Sequence, residues 1–394
     1  MATCLTAAML TQSWINSLKI YQVQSPMKAF NKWKYKLSIA AVLMLMLLVK
    51  SCRKDPVVQS ETYTATPYIL ESKPWYPQFV FKQDNPLTVE GVALGRMLFY
   101  DPIMSLDSSI SCASCHRQVF GFTDNLSVSK GIRGQILTRN SMPLHNMMWN
   151  NRFFWDGRVT SLREQVLLPI QAHNEMDLNL YDLVLKLKAS ARYNPMFKKA
   201  FDGKEPSPAL IAKAIEQFLF TMVSFNSKLD QLHGRTDTLN VISASALRGL
   251  NLFMKPIESG GADCFHCHSN LPFFGKTSLE ESMANNGLDL VFTDNGFGNV
   301  TGSPSDIGKF KIPNLRNIEL TGPYMHDGRF QTLDDVLDFY GANVKQTSPN
   351  IDPNMIHNIQ VRLTQQQKDD IVEFLKTLTD DTFLNDKRFS DPFK

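Results

Sequence analysis

Cys112-Ala113-Ser114-Cys115-His116 is the stretch from which the fold can be inferred, and Cys264-Phe265-His266-Cys267-His268 repeats its pattern. Each reads C-x-x-C-H, the attachment signature of a c-type haem. Two thiols at this spacing can add to the two vinyl groups of one porphyrin, and the histidine that follows can bind the iron. A zinc site built from C-x-x-C pairs is the alternative, but it leaves both histidines unexplained. The sequence therefore predicts two covalently bound haem c groups, one held by Cys112, Cys115 and His116 and the other by Cys264, Cys267 and His268.

The N-terminal region has the pattern of an export signal. Residues 37–49 are apolar apart from Ser38, and lysines at 28, 32, 34 and 36 precede them. A charged segment followed by an apolar run this short is typical of a signal peptide rather than a membrane span. The run ends in Leu48-Val49-Lys50-Ser51-Cys52, which resembles a lipobox apart from Lys50. We therefore predict a lipid anchor at Cys52 and a periplasmic or cell-envelope location. Plain signal cleavage and an uncleaved single-span anchor are the alternatives, and Met27 is an alternative start to Met1.

The charge gives no reason to expect nucleic-acid binding. The whole chain carries a formal charge of +3, and residues 1–51 contain six lysines without any arginine or acidic residue. Removal of this leader makes the charge negative, so the basic balance belongs to the leader rather than to the mature protein.

Hydrophobic periodicity predicts a mainly α fold, because apolar residues recur at helical spacing while strand-like alternation is scarce. Ser243 is a predicted N-cap, and Thr364 with Gln367 forms a predicted capping box. The polar connector 233–240 suggests a domain boundary. We predict a leader at 1–51, a tether and N-terminal arm at 52–85, an N-terminal domain at 86–235 and a C-terminal domain at 236–394. The predicted helices lie at 87–100, 161–172, 177–190, 208–228, 243–254, 332–340 and 364–378.

Several further motifs carry a family resemblance over about residues 86–380. They are Gly95-Arg96-Met97-Leu98-Phe99-Tyr100-Asp101-Pro102, Phe122-Thr123-Asp124, Arg139-Asn140-Ser141, Phe154-Trp155-Asp156-Gly157-Arg158, Leu315-Arg316-Asn317 and Gly322-Pro323-Tyr324-Met325-His326-Asp327-Gly328. In order and spacing the chain resembles the bacterial di-haem cytochrome c peroxidases and their relative MauG. The resemblance implies two cytochrome-c-like haem domains with long loops. The N-terminal haem would be the peroxide site, and the C-terminal haem would receive electrons.

The resemblance also assigns residues to the N-terminal haem. Glu175 matches the family's distal acid, which moves a proton between the two peroxide oxygens, and Gln165 matches an amide that orients the peroxide. A solvated acid at a helix end is the alternative for Glu175. Many family members carry a histidine that caps the resting iron, but Ile132 stands at that position here. We predict a five-coordinate N-terminal haem, with His145 and His173 as alternative ligands.

Two features are expected between the haems. Trp155 matches the family's bridging tryptophan, whose indole can relay electrons; a packed core aromatic is the alternative. In the family, a Ca²⁺ ion is held at the positions that match Asn140, Thr321 and Pro323. This cation prefers oxygen ligands such as amide side chains and backbone carbonyls.

Tyr340 matches the sixth ligand of the C-terminal iron. The peroxidases have methionine at this position, whereas MauG has tyrosine, and a phenolate favours ferric iron and lowers the potential. Met325, Met355, His326 and His357 are the competing ligands.

These assignments predict a peroxidase that reduces hydrogen peroxide with electrons from a small c-type cytochrome or cupredoxin. A MauG-like oxidase that modifies a protein or small substrate and a non-catalytic di-haem electron carrier are the alternatives. The family resemblance also implies a homodimer.

Overall fold

The computed structural model describes residues 63–79, 83–269, 272, 274–275, 282–357 and 363–394, without the side chains of residues 356 and 357. The predicted leader at 1–51, the anchor at Cys52 and the first part of the tether lie outside this range, as does the side chain of the candidate ligand His357. The described residues belong to one compact unit, Glu61–Lys394. None of the helices in these ranges is long and apolar enough to cross a bilayer.

The fold is mainly α, as predicted. In the described ranges the sheet consists of the antiparallel pair β1 (Met283–Ala284) and β2 (Phe310–Lys311). The helices in chain order are α1 (Val89–Tyr100), α2 (Cys112–Cys115), α3 (Leu162–Gln171), α4 (Leu180–Ala189), α5 (Tyr193–Ala200), α6 (Pro208–Thr221), α7 (Ala244–Met254), α8 (Gly298–Thr301), α9 (Leu333–Asp338), α10 (Pro353–His357), α11 (Gln365–Lys376) and α12 (Asp381–Leu384).

Both predicted helix caps are confirmed. The side chain of Ser243 accepts a hydrogen bond from the Ala246 amide at the start of α7. Thr364 and Gln367 form a reciprocal capping box at the start of α11. These side chains satisfy amide groups that have no partner inside the first helical turn.

Five helix predictions were wrong at an end by two residues or more: the helix predicted at 87–100 begins at Val89, the one predicted at 364–378 ends at Lys376, and three others differ as follows. The helix predicted at 208–228 stops at Thr221, because the next amides are claimed by distant side chains: Asn146 accepts from Ser224, and Asp380 accepts from Phe225 and Asn226. The helix predicted from 177 begins at Leu180, with Asn179 as its N-cap. The helix predicted at 332–340 ends at Asp338 and continues as a wider π-helical turn, Phe339–Asn343. Helix α5 was not predicted, nor were the short helices α2, α8, α10 and α12.

The two halves of the described chain repeat one arrangement. In the first half, α1 crosses α6 so closely that a Cβ on Gly95 would overlap the carbonyl oxygen of Ala214. In the second half, α7 crosses α11, and a Cβ on Gly249 would overlap the carbonyl oxygen of Asp370. Only glycine allows such an approach. A C-x-x-C-H motif follows the first helix of each pair, so each pair of crossed helices supports one motif.

Each half also has its own apolar core. The first core gathers buried residues of α1, α3 and α6 around the first motif, and the second gathers those of α7, α9 and α11 around the second motif. The C-terminal tail returns to the first core, where Phe383 and Phe389 are buried. Arg96 on α1 fastens this tail by donating to the carbonyl oxygens of Ser390 at 2.7 Å and Lys387 at 2.8 Å.

Candidate functional site

The first C-x-x-C-H motif opens onto a cavity of about 380 Å³. His116, the C-cap of α2, has its Nδ1 at 2.9 Å from the carbonyl oxygen of Phe122. Nδ1 therefore carries the ring proton, which leaves Nε2 free to bind a metal, as in most metal-binding histidines. Burial also lowers the pKa of His116 and so favours the neutral imidazole that iron requires. The cavity wall includes Cys112, Cys115, His116, Gln165 and Glu175.

The second motif has the same geometry beside a cavity of about 250 Å³. The Nδ1 of His268 lies 3.1 Å from the carbonyl oxygen of Phe274, again six residues after the histidine. The cysteines of both motifs form no disulfide. The wall of the second cavity includes Cys264, Cys267, His268 and Tyr340.

A buried lysine supports the fit of haem to these cavities. Lys311 lines both cavities, and only 5% of it is exposed. Burial lowers the pKa of Lys311 to about 8, and no charged group in the described ranges offsets that cost. A porphyrin carries carboxylates that would supply the missing negative charge. The paired thiols, the histidine with a fixed tautomer and this unpaired cation together match the groups that haem c requires.

The predicted distal residues lie in the first cavity with His116. Gln165 projects from α3, and Glu175 sits in the turn that follows the same helix. The main chain of Glu175 is held at both ends, since its amide donates to Ala172 at 2.9 Å and its carbonyl accepts from the Ile132 amide at 2.9 Å. Burial raises the pKa of the Glu175 carboxyl, while the positive charge of Arg158 opposes this shift. The turn therefore presents a carboxyl group that can exchange protons closer to neutral pH than an exposed glutamate would.

Neither the two alternative ligands of the first iron, His145 and His173, nor Ile132 at the family's capping position lines this cavity. Ile132 is 1% exposed, and its amide donates to the carbonyl oxygen of Glu175. His145 is buried, its ring packs edge-on to Phe383, and burial lowers its pKa to about 3. His173 points outward and bonds to Asp177 at 2.9 Å. Among the described residues of the cavity wall, His116 is the only histidine.

Trp155 forms part of the wall that the two cavities share. Its indole N–H donates to the carbonyl oxygen of Asn140 at 2.9 Å, and its own carbonyl accepts from the Lys311 amide at 2.8 Å. Asn140 and Lys311 also line both cavities. The predicted relay residue is therefore fixed between the two motifs.

The three predicted calcium positions all belong to the second cavity. Asn140, Thr321 and Pro323 all line it, and the Gly322–Pro323 peptide bond is cis. The side-chain amide of Asn140 donates to the carbonyl oxygen of Leu126 at 2.9 Å. This bond directs the amide nitrogen towards protein and leaves the amide oxygen available to other partners.

Tyr340 lies in the π-helical turn after α9 and faces the second cavity together with three competing ligands. Its hydroxyl accepts a hydrogen bond from Asn286 at 3.2 Å. Although 36% of Tyr340 is exposed, burial of its hydroxyl end raises its pKa to about 12. A free phenol at this position would stay neutral, so ionisation would require a metal. The competing ligands in the same wall are Met325, His326 and Met355.

Sequence reasoning missed Lys311 and Gly131, both of which line cavity walls. The available signal for Lys311 was its position between Phe310 and Ile312, but Lys309 two residues earlier makes the segment look exposed rather than buried. Gly131 had no comparable signal, because its importance lies in a contact with a segment more than forty residues away in the chain.

Comparison with known proteins agrees with this geometry. The family model described as "Di-haem cytochrome c peroxidase" matches residues 89–238. The chain is 35% identical over 302 residues to "Methylamine utilization protein MauG" of Methylorubrum extorquens. That alignment covers 75% of this chain and 79% of the relative. It is 36% identical over 302 residues to "Cytochrome c551 peroxidase" of Nitrosomonas europaea, and this alignment covers 76% of the chain and 83% of the relative.

Among solved structures, a MauG-like protein associated with microbial copper homeostasis superposes with a TM-score of 0.75 at 31% identity, covering 83% of this chain and 100% of that chain. The diheme peroxidase BthA from Burkholderia thailandensis shares the fold, with a TM-score of 0.61 at 21% identity, covering 85% and 96% of the two chains. These likenesses agree with the two haem motifs and with the wall that their cavities share. The chain belongs to the di-haem cytochrome c peroxidase family.

Proposed function

We propose that this chain is a di-haem peroxidase that reduces hydrogen peroxide to water with electrons from a small c-type cytochrome or cupredoxin. The observation that carries the proposal is the convergence of Glu175 and Gln165 on the cavity of the first motif, with Trp155 shared between this cavity and the second. The reaction consumes one peroxide, two electrons and two protons and yields two waters.

The chain's own residues would handle the protons. When bound, the first haem supplies the redox-active iron at which the O–O bond is cleaved. Glu175 would accept the proton of one peroxide oxygen and return it to the other, which leaves as water. The raised pKa of its carboxyl suits this exchange, since a much weaker base could not take the proton. The Gln165 amide orients the peroxide.

The remaining parts of the proposal concern the second half and the cell envelope. Each half would form a cytochrome-c-like haem domain, at 86–235 and 236–394. Electrons would enter at the haem of His268 and cross through Trp155. Tyr340 would be the sixth ligand of that haem, and Asn140, Thr321 and Pro323 would hold Ca²⁺. The protein would be a periplasmic homodimer, anchored by lipid at Cys52.

A MauG-like oxidase that withdraws electrons from a protein residue is the second candidate. It is favoured by Tyr340, a tyrosine rather than a methionine at the wall of the second cavity. Rapid, peroxide-dependent oxidation of reduced cytochrome c would favour the peroxidase. An electron carrier would instead have two six-coordinate irons that do not react with peroxide.

Replacement of Tyr340 tests the ligand assignment that separates the candidates. We expect Tyr340→Phe to change the absorption and EPR spectra of the second haem while the first keeps its spectrum. The phenyl ring preserves packing but offers no oxygen. A second haem whose spectrum is unaltered would discard Tyr340 and direct attention to Met325, His326 and Met355.

Replacement of Glu175 tests the function itself. We expect Glu175→Gln to lower kcat/KM for peroxide by about 10²–10⁴-fold, the range for loss of a general acid–base group. Both haems should remain attached. Glu164→Gln is the matched control, because Glu164 lies in the first turn of α3, is exposed and does not line the cavity. Turnover in Glu175→Gln equal to that of the control would reject the proposed function.

A further inference from the structure

The loop at residues 129–137, here called the Gly131 loop, is a closed unit next to the first cavity. The amide of Gly131 donates to Gln135 at 2.8 Å, and the amide of Leu137 donates to Ser129 at 3.0 Å. The Ser129 hydroxyl bonds to the carboxylate of Asp124, which is itself buried. These bonds close the loop on itself and tie it to Asp124.

This loop presses its backbone onto the distal turn, defined as residues 172–177. A Cβ on Gly131 would overlap the carbonyl oxygen of Asn174 and would lie 2.9 Å from the Cα of Glu175. Gly131 has a φ of −81°, which any residue can adopt, so the position requires glycine for space rather than for backbone conformation. The contact thus depends on the absence of a side chain at one residue.

The neighbouring residue adds a directional bond at the same contact. The Ile132 amide donates to the carbonyl oxygen of Glu175 at 2.9 Å, and the Ile132 side chain is 1% exposed. Arg133 forms an ion pair with Asp177 at 2.9 Å, but 48% of the Arg133 side chain is exposed, so this pair contributes little. The close packing at Gly131 and the amide bond of Ile132 are therefore the contacts through which this loop holds the turn at Asn174 and Glu175. At Met176 the same turn is bonded to another segment, since the Leu106 amide donates to the Met176 carbonyl oxygen at 2.9 Å.

We propose that Gly131 and Ile132 are positioning residues that set the location of the Glu175 carboxylate in the first cavity. The proposal rests on the proposed function of Glu175. Because the Glu175 main chain is bonded at its amide to Ala172 and at its carbonyl to Ile132, only side-chain torsions remain to move the carboxylate. A displacement of the turn by about 1 Å would cost on the order of 10²-fold in rate, since proton transfer depends steeply on geometry.

Gly131→Ala in the haem-loaded protein tests this inference, with Gly134→Ala as its control. Gly134 lies in the same loop, and a Cβ there would meet no atom within 4 Å. Its φ of +72° makes Gly134→Ala a strained substitution as well, so both variants carry a stability cost. They differ in whether the added methyl group strikes the distal turn.

We expect Gly131→Ala to lower kcat for peroxide by about 10²-fold, with both haems attached and with KM little changed. We also expect its Ile132 amide to exchange with deuterium faster than in Gly134→Ala. If the displaced carboxyl becomes more solvated, its raised pKa falls, and the acid limb of the pH–rate profile moves to lower pH. A variant with only a general loss of stability would not move that limb.

If Gly131→Ala fails to fold, Ile132→Pro and Ile132→Ala replace it. Both shorten the side chain, but only proline removes the amide that bonds to Glu175, and proline is tolerated at the first residue of a helical turn. A lower kcat for Ile132→Pro than for Ile132→Ala supports the inference. Equal kcat values for Ile132→Pro and Ile132→Ala would overturn the inference. Full turnover in Gly131→Ala while Glu175→Gln is inactive would also overturn it, and the proposed function would still stand. Full turnover in Glu175→Gln would refute both the proposed function and the positioning role of Gly131 and Ile132.

Discussion

Replacing Trp155 with phenylalanine should separate the relay function of the indole from its contribution to stability. Phenylalanine keeps an aromatic ring in the shared wall but has no N–H group and is harder to oxidise. The Asn140 carbonyl oxygen, on a residue that is 8% exposed, would lose the indole donor at 2.9 Å. An unsatisfied buried acceptor costs about 1–3 kcal/mol. That is less than the total stability of about 5–15 kcal/mol for a typical domain, so the fold should survive.

We therefore expect Trp155→Phe to bind both haems, to unfold at a slightly lower denaturant concentration and to transfer electrons between the haems more slowly. The assay is stopped-flow absorption: the reduced protein is mixed with peroxide, and the oxidation of each haem is followed separately. Trp149→Phe is the matched control. Its indole also donates to a carbonyl oxygen, that of Pro77 at 3.2 Å, but Trp149 lines neither cavity.

The comparison of these two variants decides the role of Trp155. The Pro77 bond is exposed, so water can replace it and Trp149→Phe should lose less stability. Its electron transfer should match that of the unmodified protein. If Trp155→Phe transfers electrons between the haems at the unmodified rate, or slows transfer no more than Trp149→Phe does, the indole is a packing element and the relay must be sought elsewhere in the wall.

Two further predictions concern charged groups. Arg158→Ala should move the acid limb of kcat/KM to higher pH, because the Arg158 charge lowers the pKa of Glu175 and activity that needs the carboxylate is lost as pH falls through that pKa. Arg158→Lys keeps the charge and should leave the acid limb in place. A pH–rate profile that neither change affects contradicts the assignment of Glu175. Arg316→Met should destabilise the protein by about 3–5 kcal/mol in urea unfolding. The buried Asp230 carboxylate would lose the cation that binds it with both terminal nitrogens and would keep only its hydrogen bonds from Ser227. Adding Asp230→Leu should recover much of that loss, and a stable single variant would show that water reaches the site.

The sequence was most informative where chemistry depends on local spacing. The C-x-x-C-H motifs identified both cavities, and the caps at Ser243 and Thr364 were readable because the interacting atoms lie within one turn. The end of α6 was not readable, since the competing acceptors, Asn146 and Asp380, are far away in the chain. Lys311 was missed for the same reason, because its burial results from the packing of both halves against it.

The shared wall makes the two halves chemically interdependent. It is built around Asn140 and Trp155 of the first half, yet two main-chain bonds from the second half secure it. The Lys311 amide donates to Trp155 at 2.8 Å, and the carbonyl oxygen of His326 accepts from the Asn140 amide at 2.8 Å. His326 is in turn stacked on Phe310 with ring centroids 3.7 Å apart, so β2 and the segment after Pro323 are fixed to each other. A disturbance at the second motif therefore has a short, rigid path to Trp155. The route proposed for electrons therefore runs through a part of the described structure that both halves must be present to form.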